Sequence, residues 1–179
     1  MQVPAGLVRR GHFAFAADFH GDTWLDLDAL LADATCLRGY ADGLALMLAA
    51  YSPDTVCGPL DGGAFVAQFV AARIGASFAY NSSDNSFGTI RGADVFDRGD
   101  VVVDDAINAG TAVRATVAAL RTAGARVLAI GSLITCLPDG GRVGDALGVP
   151  QHHLLGIDTE LWTAADCPQC AAGIPVETA

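Results

Sequence analysis

The chain has 179 residues, 52% hydrophobic and 17% charged, with a formal net charge of −10 and no lysine, so all its basic side chains besides histidine are arginines. One domain with a real core fits this length, disorder does not fit this composition, and so acidic a surface disfavours nucleic acid and anionic membranes as partners. No apolar run approaches the ~20 residues that span a bilayer, and the opening MQVPAGLVRRGHF lacks a signal-type apolar segment, so a cytoplasmic protein is expected.

Taken in chain order, the first 25 or so residues show no regular alternation of strand and helix patterns. Leu25–Ala50 carries apolar residues at helical spacing (Leu27, Leu30, Leu31, then Leu44, Leu46, Met47, Leu48), which predicts one or two helices with a break near Arg38–Gly39. A short strand is expected over Asp54–Gly58, then the turn GPLDGG (Gly58–Gly63), a helix over Ala64–Ile74 and a strand over Ser77–Tyr80. Polar Asn81–Thr89 reads as a mobile loop. Asp100–Asp104 follows as a strand, Thr111–Ala123 as a helix ended by Gly124, and Arg126–Leu133 and His153–Ile157 as further strands. Strands alternating with helices predict a parallel α/β sheet flanked by helices. With no internal repeat or linker, residues 1–179 read as a single domain. The segments at roughly 1–25 and 158–179 are left to form a small hood.

The most informative stretch is Val101–Ala112, VVVDDAINAGTA. Three valines make a buried strand, Asp104 and Asp105 stand at its carboxyl end, and small residues then open a helix. Ligands of open α/β sheets bind beyond the carboxyl ends of strands, and helix N-termini attract phosphate. Acids for hydroxyls beside amides for a phosphate suit a sugar phosphate. An acid pair after a strand also occurs as a simple helix cap, but the order of valines, acids, small-residue loop and helix is far more restrictive. No Walker A sequence and no strand leading into G-x-G-x-x-G is present, which argues against a P-loop or a dinucleotide fold.

This segment resembles the phosphoribosyl-pyrophosphate (PRPP) motif of type I phosphoribosyltransferases, above all that of the orotate phosphoribosyltransferase group. GPLDGG resembles the family's pyrophosphate loop. Gly11–Leu31 resembles its hood, with Gly11, His12, Phe13, His20, Asp26 and Leu27 in register, and Cys167-Pro168-Gln169-Cys170 is similar to the tail of some short members. The resemblance covers Gly11 to about Pro175 and implies a type I phosphoribosyltransferase fold. It also implies transfer of phosphoribose from PRPP to a pyrimidine-type base with release of pyrophosphate, a cytoplasmic homodimer, and a place in pyrimidine and nucleotide metabolism. By the same resemblance, Asp104 and Asp105 are the catalytic pair holding the ribose. Ala106, Ile107, Asn108, Ala109, Gly110, Thr111 and Ala112 complete the PRPP site around the 5′-phosphate. Gly58, Pro59, Leu60, Asp61, Gly62 and Gly63 take the pyrophosphate, Asn108 faces the base, and Arg91 belongs to the flexible loop Tyr80–Gly92. Mg²⁺ enters with PRPP, and no protein side chain is assigned to a metal.

The chain departs from the family in its cations. The flexible loop has Arg91 as its only basic residue, the family's carboxylate-gripping arginine aligns near Cys136 with Arg142 out of register, and the motif's threonine becomes Asn108. An uncharged base is one consequence. The other reading is a PRPP- or nucleotide-binding regulatory protein that has lost catalysis. The five cysteines form no disulfide framework. Cys167 and Cys170 supply only two of the four ligands of a structural zinc, with His152 and His153 as the candidates to complete it, and a free-thiol tail is the preferred reading.

Overall fold

The computed structural model describes residues 6–15, 18–82 and 88–177. The chain opens with an antiparallel pair, β1 (Val8–Phe15) and β2 (Phe19–Leu25), followed by helices α1 (Leu27–Ala32) and α2 (Ala34–Leu48). The helical break falls at Asp33 and not near Arg38–Gly39. Asp33 adopts an extended conformation and its carboxylate accepts from the Thr35 and Cys36 N–H groups at 2.9 and 3.0 Å, capping α2. Gly39 stays within the helix on a side with open space around it.

Then come β3 (Thr55–Pro59), α3 (Gly62–Ile74), β4 (Ser77–Ser82), β5 (Thr89–Gly92), β6 (Gly99–Ile107), α4 (Thr111–Thr122), β7 (Arg126–Leu137), α5 (Val143–Leu147) and β8 (Gln151–Asp158). The sheet order is β5-β4-β3-β6-β7-β8, parallel throughout except for β5, which runs antiparallel to β4. This is the parallel α/β sheet expected from the alternation. Several strands run past their expected ends: β6 through both acids to Ile107, and β7 to Leu137.

Period-two alternation on the central strand builds the two halves of the core. Val101 and Val103 pack with α2 and α3 (Leu37, Leu44, Leu48, Val66, Val70), while Val102 packs with α4 (Val113, Val117, Leu120) on the other face. With both faces covered, β6 is held rigidly and its carboxyl end is fixed in place.

A second, three-stranded sheet, β1-β2-β9, adds β9 (Leu161–Thr163) to the N-terminal pair. The short helix α6 (Pro168–Ala171) and a tail that bridges Glu177 to Phe13 then return to β1. The N- and C-terminal segments thus form one layer, and its β2 strand leads directly into α1.

Candidate active site at the carboxyl ends of β3 and β6

Asp104 and Asp105 stand near the end of β6. Asp104 is buried, and its Oδ1 accepts from the Asp105 N–H at 3.0 Å. Asp105 is half-buried, and its Oδ1 accepts from the Ala106 N–H at 2.8 Å. Burial first, and the neighbouring Asp105 charge second, push the Asp104 carboxyl well above the usual carboxylate range. The pair faces the start of α3. A Cβ on Gly63 would come within 2.6 Å of Asp104 Oδ1, and one on Gly62 would overlap the Asp105 carboxylate. These two glycines allow that approach, and the positive end of the α3 dipole favours the anionic charge there.

The turn from β3 into α3, Gly58–Gly63, therefore lies directly against the acid pair. Its Leu60 N–H donates to the Asn81 carbonyl at 2.9 Å, which ties it to the end of β4. The Asn81 side chain in turn donates to Thr116 Oγ1 of α4 at 3.2 Å.

The loop Asn108–Gly110 leads into α4, whose first-turn N–H groups lack intrahelical partners and are capped by no side chain. Gly110 has φ +76°, and a Cβ there would meet Val143 Cγ2 at 2.5 Å. Both the left-handed backbone and the close approach demand glycine. Gly110→Ala is expected to cost about 1–3 kcal/mol of stability and to weaken phosphate binding. Urea unfolding and phosphate titration check the two effects, and an unchanged midpoint would contradict the packing argument.

Two hollows flank the acids. One, of about 280 Å³, lies between the two sheets and is lined by Phe15, Thr23, Trp24, Leu25, Leu27, Ala106, Asn108, Cys136, Thr159, Glu160 and Leu161. Sequence reasoning places Asn108 beside a base but misses Phe15, Trp24 and Leu161, although the aromatic pattern of the N-terminal segment is an available signal. The other, a more open groove of about 700 Å³, runs past Asp105, Asp61, Gly62, Asp26 and Asp28.

No lysine or arginine lines the first cavity among the described residues. Cys136 occupies the wall, and burial raises its thiol above the ordinary range, so it presents a neutral group. Arg10 lies close by but is engaged by Asp22 at 3.0 Å, by the Thr23 hydroxyl and by the Asp158 carbonyl at 2.8 Å. Arg142 sits exposed in a 3-10 turn, Gly140–Arg142, away from both hollows. Of the expected flexible loop, residues 83–87 lie outside the described residues. Arg91 is exposed on β5 opposite Tyr80, and its Nε donates to Ser82 Oγ at 3.4 Å.

No protein-family model matches the chain. The orotate phosphoribosyltransferase of Thermotoga maritima is 29% identical over 174 residues, covering 96% of this chain and 91% of that protein. The chain is a homologue of the orotate phosphoribosyltransferases. Its fold is the type I phosphoribosyltransferase fold. The phosphoribosyltransferase of Corynebacterium diphtheriae superposes with a TM-score of 0.69 at 25% identity, covering 75% of this chain and 83% of that one. The orotate phosphoribosyltransferase of Aeropyrum pernix superposes with a TM-score of 0.72 at 23% identity, covering 85% and 89%.

Proposed function

We propose that this homologue transfers phosphoribose from PRPP to a pyrimidine-type base, releasing pyrophosphate, and that the base it prefers is uncharged. The observation that carries this reading is the meeting of three elements at one end of the sheet: the acid pair, the Gly58–Gly63 turn against it, and the α4 N-terminus beyond Asn108–Gly110. In the transfer, the bond from ribose C1 to the pyrophosphate oxygen breaks with its electron pair leaving on pyrophosphate, and a ring nitrogen of the base bonds to C1 as its proton is released to water. Positive charge develops on the ribose between those events. Asp104 and Asp105 hold the ribose hydroxyls, and the pair, sharing its charge, places negative charge beside that centre. Asn108–Ala112 binds the 5′-phosphate through backbone amides, Gly58–Gly63 receives the pyrophosphate, and Asn108 orients the base in the cavity closed by Phe15 and Trp24.

The groove beside Asp105 is lined by Asp61, Asp26 and Asp28, hard oxygen donors whose charge would repel bare pyrophosphate and suits Mg²⁺ arriving with PRPP. Asp105 and Asp61, which line this groove, would hold such an ion, and it would supply charge neutralisation for the phosphates. The reading also carries a single phosphoribosyltransferase-like domain with its hood at roughly 1–25 and 158–179, acting as a cytoplasmic homodimer in pyrimidine metabolism.

Base preference follows from the cavity. Among the described residues its wall offers Glu160 and neutral groups and no cation, so a base bearing a carboxylate finds no partner among them. Pyrophosphate release from PRPP with Mg²⁺ is expected to be faster with an uncharged pyrimidine than with orotate. Preference for orotate would overturn the specificity argument while leaving transfer intact. No release with any base, with PRPP binding shown by calorimetry on the same sample, would favour a binding protein that has lost catalysis. The near absence of cations about Arg91 is the observation on that side.

A further inference from the structure

Away from the candidate active site, four side chains converge that phosphoribosyl transfer does not use. His12 on β1 and His20 on β2 meet Cys167 and Cys170 at α6, and their four ligand atoms all lie within 4.8 Å of one another. His12 Nε2 lies 2.9 Å from His20 Nδ1, 3.4 Å from Cys167 Sγ and 3.7 Å from Cys170 Sγ, and Cys170 Sγ lies 3.2 Å from His20 Nδ1. The histidines expected to complete a Cys-x-x-Cys site do not do so. His152 instead hydrogen-bonds through Nε2 to the Tyr51 hydroxyl at 2.7 Å, on the main sheet, and neither it nor His153 joins the cluster.

Hydrogen bonding among the four does not account for the arrangement. The His12 Nδ1 lies 2.8 Å from the Ile174 carbonyl oxygen, so Nδ1 carries the proton and donates. Nε2 is then left with one lone pair, which three separate atoms approach. One lone pair cannot serve three donors, whereas a cation at their common centre satisfies all four groups at once. An imidazole whose other nitrogen donates to a backbone carbonyl is also the usual support of a metal-bound histidine. Tetrahedral zinc, with Zn–N about 2.0–2.1 Å and Zn–S about 2.3 Å, requires N···N near ~3.3 Å and N···S near ~3.5 Å. The one N···N and three N···S separations above differ from these by less than about half an ångström, and every pair of the four ligand atoms lies within 4.8 Å.

We propose that His12, His20, Cys167 and Cys170 form a structural zinc site that fastens the C-terminal tail to the β1–β2 pair. Two thiolates and two imidazoles select a borderline-soft divalent ion over Mg²⁺. The full set of four protein ligands, with His12 and Cys167 buried, leaves no open position for catalysis. The surrounding contacts have the same purpose: the Gln169 side chain donates to the Gly11 carbonyl at 3.2 Å and the Glu177 N–H donates to the His12 carbonyl at 2.6 Å. The layer being fastened carries Phe15, Trp24 and Leu161, so the ion holds one wall of the base cavity without touching the reaction.

The test reads metal and not activity. Untagged protein purified under reducing conditions without chelator is expected to contain one zinc per chain by plasma mass spectrometry. Cobalt added to the stripped, reduced protein should give visible d–d bands and a near-ultraviolet thiolate band. Cys170→Ala, at an exposed position, and His20→Ala should lose the ion, while Cys36→Ala, on α2 outside the cluster, should retain it. Less than about a tenth of an equivalent of zinc in the reduced wild-type protein, with no cobalt bands, would overturn the proposal. Retention of a full equivalent by both Cys170→Ala and His20→Ala would overturn it equally.

Discussion

Replacing Asp104 and Asp105 together by asparagine is expected to weaken PRPP binding by about 30- to 2,000-fold, since the pair would lose one charge-assisted hydrogen bond to a ribose hydroxyl worth roughly 1.5–3 kcal/mol and one neutral bond worth roughly 0.5–1.5 kcal/mol. The fold should survive the change. Asp104 is buried beside a second carboxylate, and burial already disfavours its charged form, so a neutral isostere removes a cost. The amide oxygen introduced by Asp104→Asn can still accept from the N–H of the next residue, as Asp104 Oδ1 does now at 3.0 Å. The double variant should therefore unfold at the same urea concentration as the wild type or a higher one at neutral pH, while calorimetry shows PRPP binding weakened by that factor. An affinity within a factor of about three of wild type would remove the acid pair from the site. A collapse in stability would mean instead that the pair is chiefly structural.

What the sequence reveals depends on how local the determinants are. The Val101–Ala112 stretch is readable because strand, acids, small-residue loop and helix are consecutive, and the parallel sheet follows from alternation along the chain. The break between α1 and α2 is misread, five residues late, when glycine is given more weight than capping: Gly39 costs the helix only about 1 kcal/mol relative to alanine, whereas Asp33 satisfies two N–H groups. The cavity wall is harder to see. Phe15 and Trp24 come from the first 25 residues and Leu161 from beyond β8, and their meeting depends on β2 pairing with β9. The histidines near Cys167 are hidden for the same reason. Proximity in sequence points to His152 and His153, but β8 lies in the main sheet, while antiparallel pairing sets His20 opposite Ala14, two residues from His12, and brings the two imidazole ring centroids within 4.9 Å. Long-range pairing of short strands leaves little trace in composition or spacing.

A third acid on β6 gives the clearest pH dependence. Asp100 lies at the amino end of the same strand, opposite Thr55 of β3, fully buried, and neither of its carboxylate oxygens has a hydrogen-bond partner among the described residues. Burial pushes its carboxyl up to about 6; the neighbouring Thr55 hydroxyl, beyond good hydrogen-bond geometry, and the Arg98 charge oppose the shift, and the nearby Asp54 adds to it. Ligands of such sheets gather at the carboxyl ends of strands, so this acid stands at the end of β6 away from the candidate site and its charge burdens the fold. Its folded pKa stands above the unfolded one, so the stability it contributes is fully present below about pH 4 and is lost as pH rises through 6. The difference from an ordinary aspartate corresponds to about 3 kcal/mol above pH 7, an upper figure because the buried strand end can relax toward water. Asp100→Asn should match the wild type near pH 4 and exceed it by up to about 3 kcal/mol near pH 8, read as urea midpoints across that range. Asp104 shifts in the same direction and remains in the variant, so part of the slope will persist and the difference between the two curves isolates Asp100. Two parallel curves from pH 4 to 8 would show that Asp100 stays hydrated or paired in solution, and the burial argument would fail.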